Sequence, residues 1–278
     1  MEFKIVADSS SDIFSLENIP FSSAPLKIIT RYKEYVDNAE LDVKDMIEEL
    51  SVYKGKSSTA CPSPDDWAKN FGDAKYVFCV TITSGLSGSY GSACIAKNDY
   101  EEAYPDRKVF VVDSLSAGPA LKLIIEKLTE FILSGMTFDE ICSKIAEYNK
   151  QLGTLFVLES MRNLANNGRV SPIAAKAAGI LGIRAIGKAS DVGTIELLEK
   201  PRGEMKALKN VVSNMVNMSC KGEKIRISHA DNEFAANSLK ELILKEFPGA
   251  DIDIYPSRAL CSFYAEKGGL IIGFEKNY

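Results

Sequence analysis

The chain has 278 residues, 46% of them hydrophobic and 26% charged, the proportions of an ordinary globular protein and not of a disordered or collagen-like one. Its 33 basic and 38 acidic side chains leave a net charge of −5, which disfavours a nucleic-acid-binding surface and points to a small molecule or another protein as partner. A chain of this length predicts about two domains, with enough buried surface to need no disulfide or metal staple.

The opening MEFKIVADSSSD lacks the basic segment and apolar run of a signal peptide. Residues 3–7 (FKIVA) predict a buried strand that runs out into Asp8-Ser9-Ser10-Ser11-Asp12. Short strands over 24–29 and 34–36 come next, then an acidic amphipathic helix over 43–51. The segment 57–64 (SSTACPSP) reads as a turn, with Ser63 as helix N-cap and Pro64 at the first helical position. Residues 76–82 (YVFCVTI) are a second strong strand, followed by a Gly/Ser turn and a helix over 89–104. A third strand over 109–112 ends at Asp113-Ser114 and leads into helices over 119–135 and 138–152. This alternation implies right-handed crossovers and a mostly parallel sheet with flanking helices.

The second half has another rhythm. A strand is expected over 154–158, and 183–189 with 194–199 form a hairpin around Asp191-Val192-Gly193. Helices are expected over 171–181, 204–219 and 232–247, and strands over 224–227, 251–255 and 270–274. The fold class is therefore α/β in two domains, a mostly parallel one over 1–152 and a mixed one over 153–278.

Some chemistry is excluded. Cys61, Cys79, Cys94, Cys142, Cys220 and Cys261 form no C-x-x-C pair, and with His229 as the one histidine a multi-histidine metal site is impossible. No apolar run reaches the length of a bilayer span, so no stable membrane insertion is expected. The expectation is a reduced, cytoplasmic protein with no cofactor. Gly85, Gly88 and Gly91 fit neither the dinucleotide pattern nor a phosphate loop with its lysine, so nucleotide binding is not expected. Ser84 to Gly88 lacks the spacing of a nucleophile elbow. His229, at a strand end before a helix, reads as a cap or packing residue and not as a general base.

Three strands of the first half end in hydroxyl-rich segments: Asp8 to Ser11, Thr83 to Ser89, and Asp113 to Ser116. Each alone reads as helix caps and turns. Three on adjacent strands point to a shared anion or carboxylate site, because ligands of open α/β sheets bind beyond the carboxyl ends of strands.

These segments, in order, resemble the DegV family of bacterial fatty-acid-binding proteins. ADSSSD over 7–12 is similar to the family's D-S-x-x-D opening, and TACPS over 59–63 to its T-S-Q-P-S loop. ITSGLSGSYGSA over 82–93 follows I-S-S-x-L-S-G-T-Y-x-S-A, and residues 112–114 follow V-D-S. LANNGRVS over 164–171 resembles L-x-x-x-G-R-I-S, and KPRG over 200–203 resembles K-x-R-G. The resemblance implies a fatty acid held between the two domains, its acyl chain in a buried apolar tunnel and its carboxylate on hydroxyl groups. It implies Thr59, Ser84, Ser87 and Gly88 as ligand-binding positions, with Arg169 and Arg202 flanking the carboxylate. It also implies a partner, an ATP-dependent fatty-acid kinase that would phosphorylate the carboxylate. The chain departs from the family at LCSFYAEKGGL over 260–270, where a G-T-H-T-G-P-G-like loop would carry a histidine. Tyr264 stands in that place; its hydroxyl donates a hydrogen bond but carries no positive charge near neutral pH.

The energetics agree with a lipid ligand. About 14 methylenes buried at ~0.8 kcal/mol each offer ~11 kcal/mol, against roughly 4 kcal/mol or more for association. The alternative is a hydrolase or phosphoryl-transfer enzyme built on the same serine-lined anion site.

Overall fold

The structure is a computed structural model and describes residues 2–173 and 182–277. The first half builds a four-stranded, wholly parallel sheet in the order β2-β1-β6-β7, from β1 (Phe3–Asp8), β2 (Phe21–Ala24), β6 (Tyr76–Thr81) and β7 (Lys108–Asp113). Its strands are near-continuous apolar runs because both faces are covered. Side chains alternate along them: Ile5, Ala7, Phe78 and Val80 pack on α4 (Pro119–Leu133) and α5 (Phe138–Lys150). Val6, Val77 and Cys79 pack on the opposite face against Trp67 and Phe71 of α2 (Pro64–Phe71) and Ala93, Ala96 and Tyr100 of α3 (Ser89–Ala103). Ser63 caps α2 through a capping box with Asp66, and Pro64 opens the helix.

The strand expected over 24–29 is two strands in two sheets. Pro25 cannot donate to a ladder, so β2 stops at Ala24 and β3 (Lys27–Ile29) joins a small antiparallel sheet with β4 (Glu34–Val36) and β5 (Ser58–Ala60). Helix α1 (Val43–Val52) follows β4 as expected.

The second half builds a six-stranded mixed sheet in the order β10-β9-β8-β13-β11-β12. Its strands are β8 (Leu152–Leu158), β9 (Ala185–Ala189), β10 (Ile195–Glu199), β11 (Cys220–His229), β12 (Asp251–Pro256) and β13 (Leu270–Lys276). All its pairs are antiparallel except β11 with β12. Leu155, Val157, Ile225 and Ile227 face α7 (Glu204–Asn217) and α8 (Glu233–Glu246). The opposite face looks toward the first sheet across α4, which packs on strands of both. That position explains the wide apolar face of α4, on which Leu121, Leu123, Ile124, Ile125 and Leu128 are fully buried. Charged residues of α4 tie it to the second sheet, among them Glu126 to Arg226 at 2.8 Å and Lys122 to Asp253 at 2.6 Å.

Two short helices were not anticipated, α6 (Arg162–Asn166) and α9 (Ala259–Ala265). The helix expected over 171–181 lies mostly outside the described residues.

Candidate functional site

The first sheet's carboxyl edge is organised by Asp8. Its buried carboxylate accepts from Ser10 N and Oγ at 3.2 and 2.5 Å, from Ile82 N at 2.9 Å and from Ser89 Oγ at 2.6 Å. One side chain thus ties the ends of β1 and β6 to the start of α3. Burial pushes its carboxyl upward, and these donors oppose the shift. Ser9 accepts from Leu26 N at 3.0 Å, and Asp113 accepts from Ser84 N at 3.0 Å and Leu115 N at 3.2 Å. Most hydroxyls and carboxylates of the three strand-end segments are therefore committed to caps and loop closure. Of those segments only Thr83, Leu86, Ser87 and Ser116 line a cavity.

That cavity lies between the carboxyl edge of the first sheet and a face of the second, and encloses about 870 Å³ including its open mouth. On β8, Thr154, Phe156 and Leu158 line it at alternate positions, joined by Ile271 of β13 and Ile195 of β10. Leu26, Ile82, Leu164, Leu260 and Ala265 complete a mainly apolar wall. Two glycines make the closure. Gly187 on β9 leaves room for the Phe156 ring, whose Cζ lies 2.2 Å from where a Cβ would stand. Gly193, in the turn of the β9-β10 hairpin at φ +72°, lets that turn rest on Thr83; a Cβ there would fall 1.9 Å from Thr83 Oγ1.

One end of the cavity carries a polar cluster. Thr59 of β5 and Tyr264 of α9, 205 residues apart, hydrogen-bond through their hydroxyls at 2.7 Å. The Arg169 guanidinium stands 5.9 Å from the centre of the Tyr264 ring. It is steadied by Nε donating to Leu86 O at 3.1 Å and Nη1 to Asn167 O at 2.5 Å, which commits two of its five donors. Burial raises the Tyr264 hydroxyl above its ordinary range, with Thr59 and Arg169 opposing, so it is held as a neutral donor. Ser87 lines the cavity at the start of α3, where its Oγ accepts from Ser89 N at 3.2 Å, and Gly88 is the N-cap. A carboxylate placed here would meet two hydroxyls, a guanidinium and a helix amino end, all favourable to an anion.

Helix α9 owes its place to another buried carboxylate. Asp37 accepts from Ala259 N at 3.0 Å and Leu260 N at 2.9 Å, and Asp12 accepts from Arg258 N at 2.7 Å. Burial lifts Asp37 to about 6; burial, with the Asp37 charge adding to it, lifts Asp12 to about 8. The helix that carries Tyr264 and Cys261 into the cavity is thus anchored to residues near the amino end of the chain.

Of the residues expected at the site, the structure brings together Thr59, Ser87, Arg169 and Tyr264 on the cavity lining, with Gly88 immediately beside Ser87. Ser84 and Arg202 are exposed and stand outside the lining; Arg202 pairs across to Ile183. His229 Nδ1 accepts from Asn232 N at 3.3 Å at the start of α8, a capping role. Thr154, Phe156 and Leu158 were not singled out, because the run TLFVL over 154–158 is apolar on both sides after Thr154 and marks neither face; Ser116 was read only as part of the Asp113 to Ser116 strand end. Among the described residues no group of three or more His, Cys, Asp or Glu side chains could hold a metal ion. No described helix is long and apolar enough to cross a membrane.

Comparison with known proteins follows the same lines. A family model described as an uncharacterised protein of the DegV family matches residues 2–277. A DegV domain-containing protein of Streptococcus pneumoniae is 44% identical over 279 aligned positions, covering 99% of each chain. A DegV family protein from Eubacterium eligens, solved loaded with heptadecanoic acid, superposes with a TM-score of 0.97 at 41% identity, covering 99% of this chain and all of the other. The Streptococcus pneumoniae fatty acid kinase (Fak) B3 protein, solved loaded with linoleic acid, also gives 0.97, at 43% identity and full coverage of both chains.

Proposed function

The chain belongs to the DegV family, and from that membership together with its cavity we propose that it binds a long-chain fatty acid and presents it to an ATP-dependent fatty-acid kinase. The observation that carries this reading is the cavity itself: an apolar space between two sheets, with hydroxyls and a guanidinium gathered at one end. Thr59, Tyr264 and Ser87 hold the carboxylate, Arg169 balances its charge, and the acyl chain lies along Phe156, Leu158 and Ile271. The protein carries the ligand and does no chemistry on it. The kinase reading is supported by likeness to the B3 protein named for a fatty acid kinase. Exposed Ser84 and Arg202 stand outside the cavity, where a partner could reach them. A partner that draws on ATP fits a cytoplasmic location. We divide the two domains at 152/153, just after the chain has left α5 and one residue into β8, with the ligand between them.

Native mass spectrometry of the purified protein, followed by lipid extraction, tests the reading. The expected result is one bound species of fatty-acid mass per chain. A protein that is empty and takes up neither oleate nor palmitate would contradict it.

A further inference from the structure

The interface between the two domains is held unevenly. Along the six-stranded sheet the charged ties to the first domain gather at one side: Lys122 of α4 meets Asp253 of β12 at 2.6 Å, Glu126 meets Arg226 of β11 at 2.8 Å, and Glu130 meets Lys224 of β11. Next along the sheet, Tyr148 of α5 donates to Glu275 of β13 at 2.7 Å, and Ser116 and Thr154 of β8 hydrogen-bond at 2.6 Å. The other side ends in the β9-β10 hairpin, whose turn satisfies itself. Ser190 N donates to Thr194 O at 2.8 Å, Gly193 N to Ser190 O at 2.9 Å and Thr194 N to Ser190 Oγ at 3.1 Å. Among the described residues no hydrogen bond or ion pair joins residues 190–194 to the first domain.

What meets the first domain there is backbone on backbone. A Cβ at Gly193 would fall 3.0 Å from Leu115 Cα as well as on Thr83, and a Cβ at Gly85 would fall 2.9 Å from Val192 O and 3.1 Å from Gly193 O. Val192, at the tip, is 68% exposed and anchors nothing. The two sides of this contact differ in support. The loop below is fixed, because Ser84 N donates to Asp113 and Arg169 Nε to Leu86 O. The hairpin above is held at its base, where Arg184 N donates to Pro201 O at 2.9 Å and β9 pairs with β8 as far as Lys188. Beyond Lys188 that ladder stops, and β10 is an edge strand with β9 as its one neighbour. Lifting the tip therefore breaks van der Waals contacts and leaves no donor or acceptor without its partner. Gly193, Thr194 and Ile195 line the cavity, so the same movement opens it along one side.

We infer that the turn of the β9-β10 hairpin is the gate of the cavity, lifting off Thr83 and Gly85 to pass a fatty-acyl chain while the β11-β12 side stays clasped. This rests on the fatty-acid reading above and deepens it. The test is the binding kinetics of cis-parinaric acid, a fluorescent fatty acid, with the delipidated wild type, Gly85→Ala and Gly91→Ala. Stopped-flow mixing gives the association rate, and displacement by excess oleate gives the dissociation rate. Gly85 has no positive φ, so alanine suits its backbone, while its methyl meets Val192 O and holds the tip off its seat. Association and dissociation should both quicken about fivefold or more in Gly85→Ala, with Kd within about threefold of the wild type. Gly91→Ala, on α3 with nothing within 4 Å of the added methyl, should leave both rates within about twofold. Rates unchanged in Gly85→Ala would overturn the gate. So would faster dissociation with association unchanged, the mark of a damaged headgroup loop. A wild type that takes up neither parinaric acid nor oleate would instead overturn the fatty-acid reading on which the gate stands.

Discussion

The two sheets meet the cavity in different ways: the parallel sheet offers it an edge, and the mixed sheet offers it a face. At the edge, strands end in capping residues, and the cavity receives hydroxyls, loop amides and the start of α3. On the face, alternate side chains of β8 give Thr154, Phe156 and Leu158, an apolar wall with one polar break. The proposed headgroup donors come from separate elements, Ser87 at that edge, Thr59 on β5, Tyr264 on α9 and Arg169 beyond α6, whereas the proposed path of the acyl chain follows one continuous face. The edge is held by a few buried carboxylates, so it should be the more fragile of the two.

The largest expected effect breaks the edge. Asp8→Ala leaves four donors from three segments without their acceptor, and should cost ~3–5 kcal/mol, read from urea unfolding. A loss below ~1 kcal/mol would mean that Asp8 does not organise the edge. Next comes pH. The folded protein holds Asp12 protonated up to about 8, whereas the unfolded chain releases the proton near the ordinary 3.8. The stability from this group is fully present below about pH 4 and is lost as pH rises toward about 8. Asp12→Asn keeps an acceptor for Arg258 N but removes the titration, so it should gain on the wild type across that window, by a few kcal/mol in order of magnitude. A slope from Asp37 should remain in both proteins, and parallel pH profiles would refute the assignment.

Smaller effects separate binding from folding. Thr59→Val and Tyr264→Phe should each weaken fatty-acid binding about tenfold with little loss of stability. The double variant should fall short of the product of the two, since the hydroxyls bond each other and act as one unit; a full hundredfold loss in calorimetric titration would show them independent. Smallest is Glu196→Ala on β10, which removes a half-exposed ion pair to Lys188 at 3.4 Å and should change stability by less than ~0.5 kcal/mol.

How legible these regions were in the sequence follows the same division. The parallel strands were plain because both their faces are buried and their residues run apolar. The edge was legible as capping residues, but nothing local says that Asp8 meets Ser89, 81 residues on. The strand Ser58–Ala60 has three residues and no apolar alternation; it exists because Lys27–Ile29 pairs with it. Helix Ala259–Ala265 shows no amphipathic period because all but one of its residues are buried. On the face, the strand over 154–158 was readable, while which of its two sides met a cavity depended on a hairpin that closes over Thr83. The resemblance, not the spacing, singled out Thr59, Arg169 and Tyr264, and their meeting is tertiary.

The central claim is that one fatty acid lies in the cavity with its carboxylate at Thr59 and Tyr264 and its chain along the face of the mixed sheet. A crystal structure of the protein with stearate bound tests it most directly. The carboxylate should stand within hydrogen-bond distance of Thr59 and Tyr264, with the chain against Phe156 and Leu158. A carboxylate found away from Thr59 and Tyr264, or a chain outside the cavity, would contradict the account.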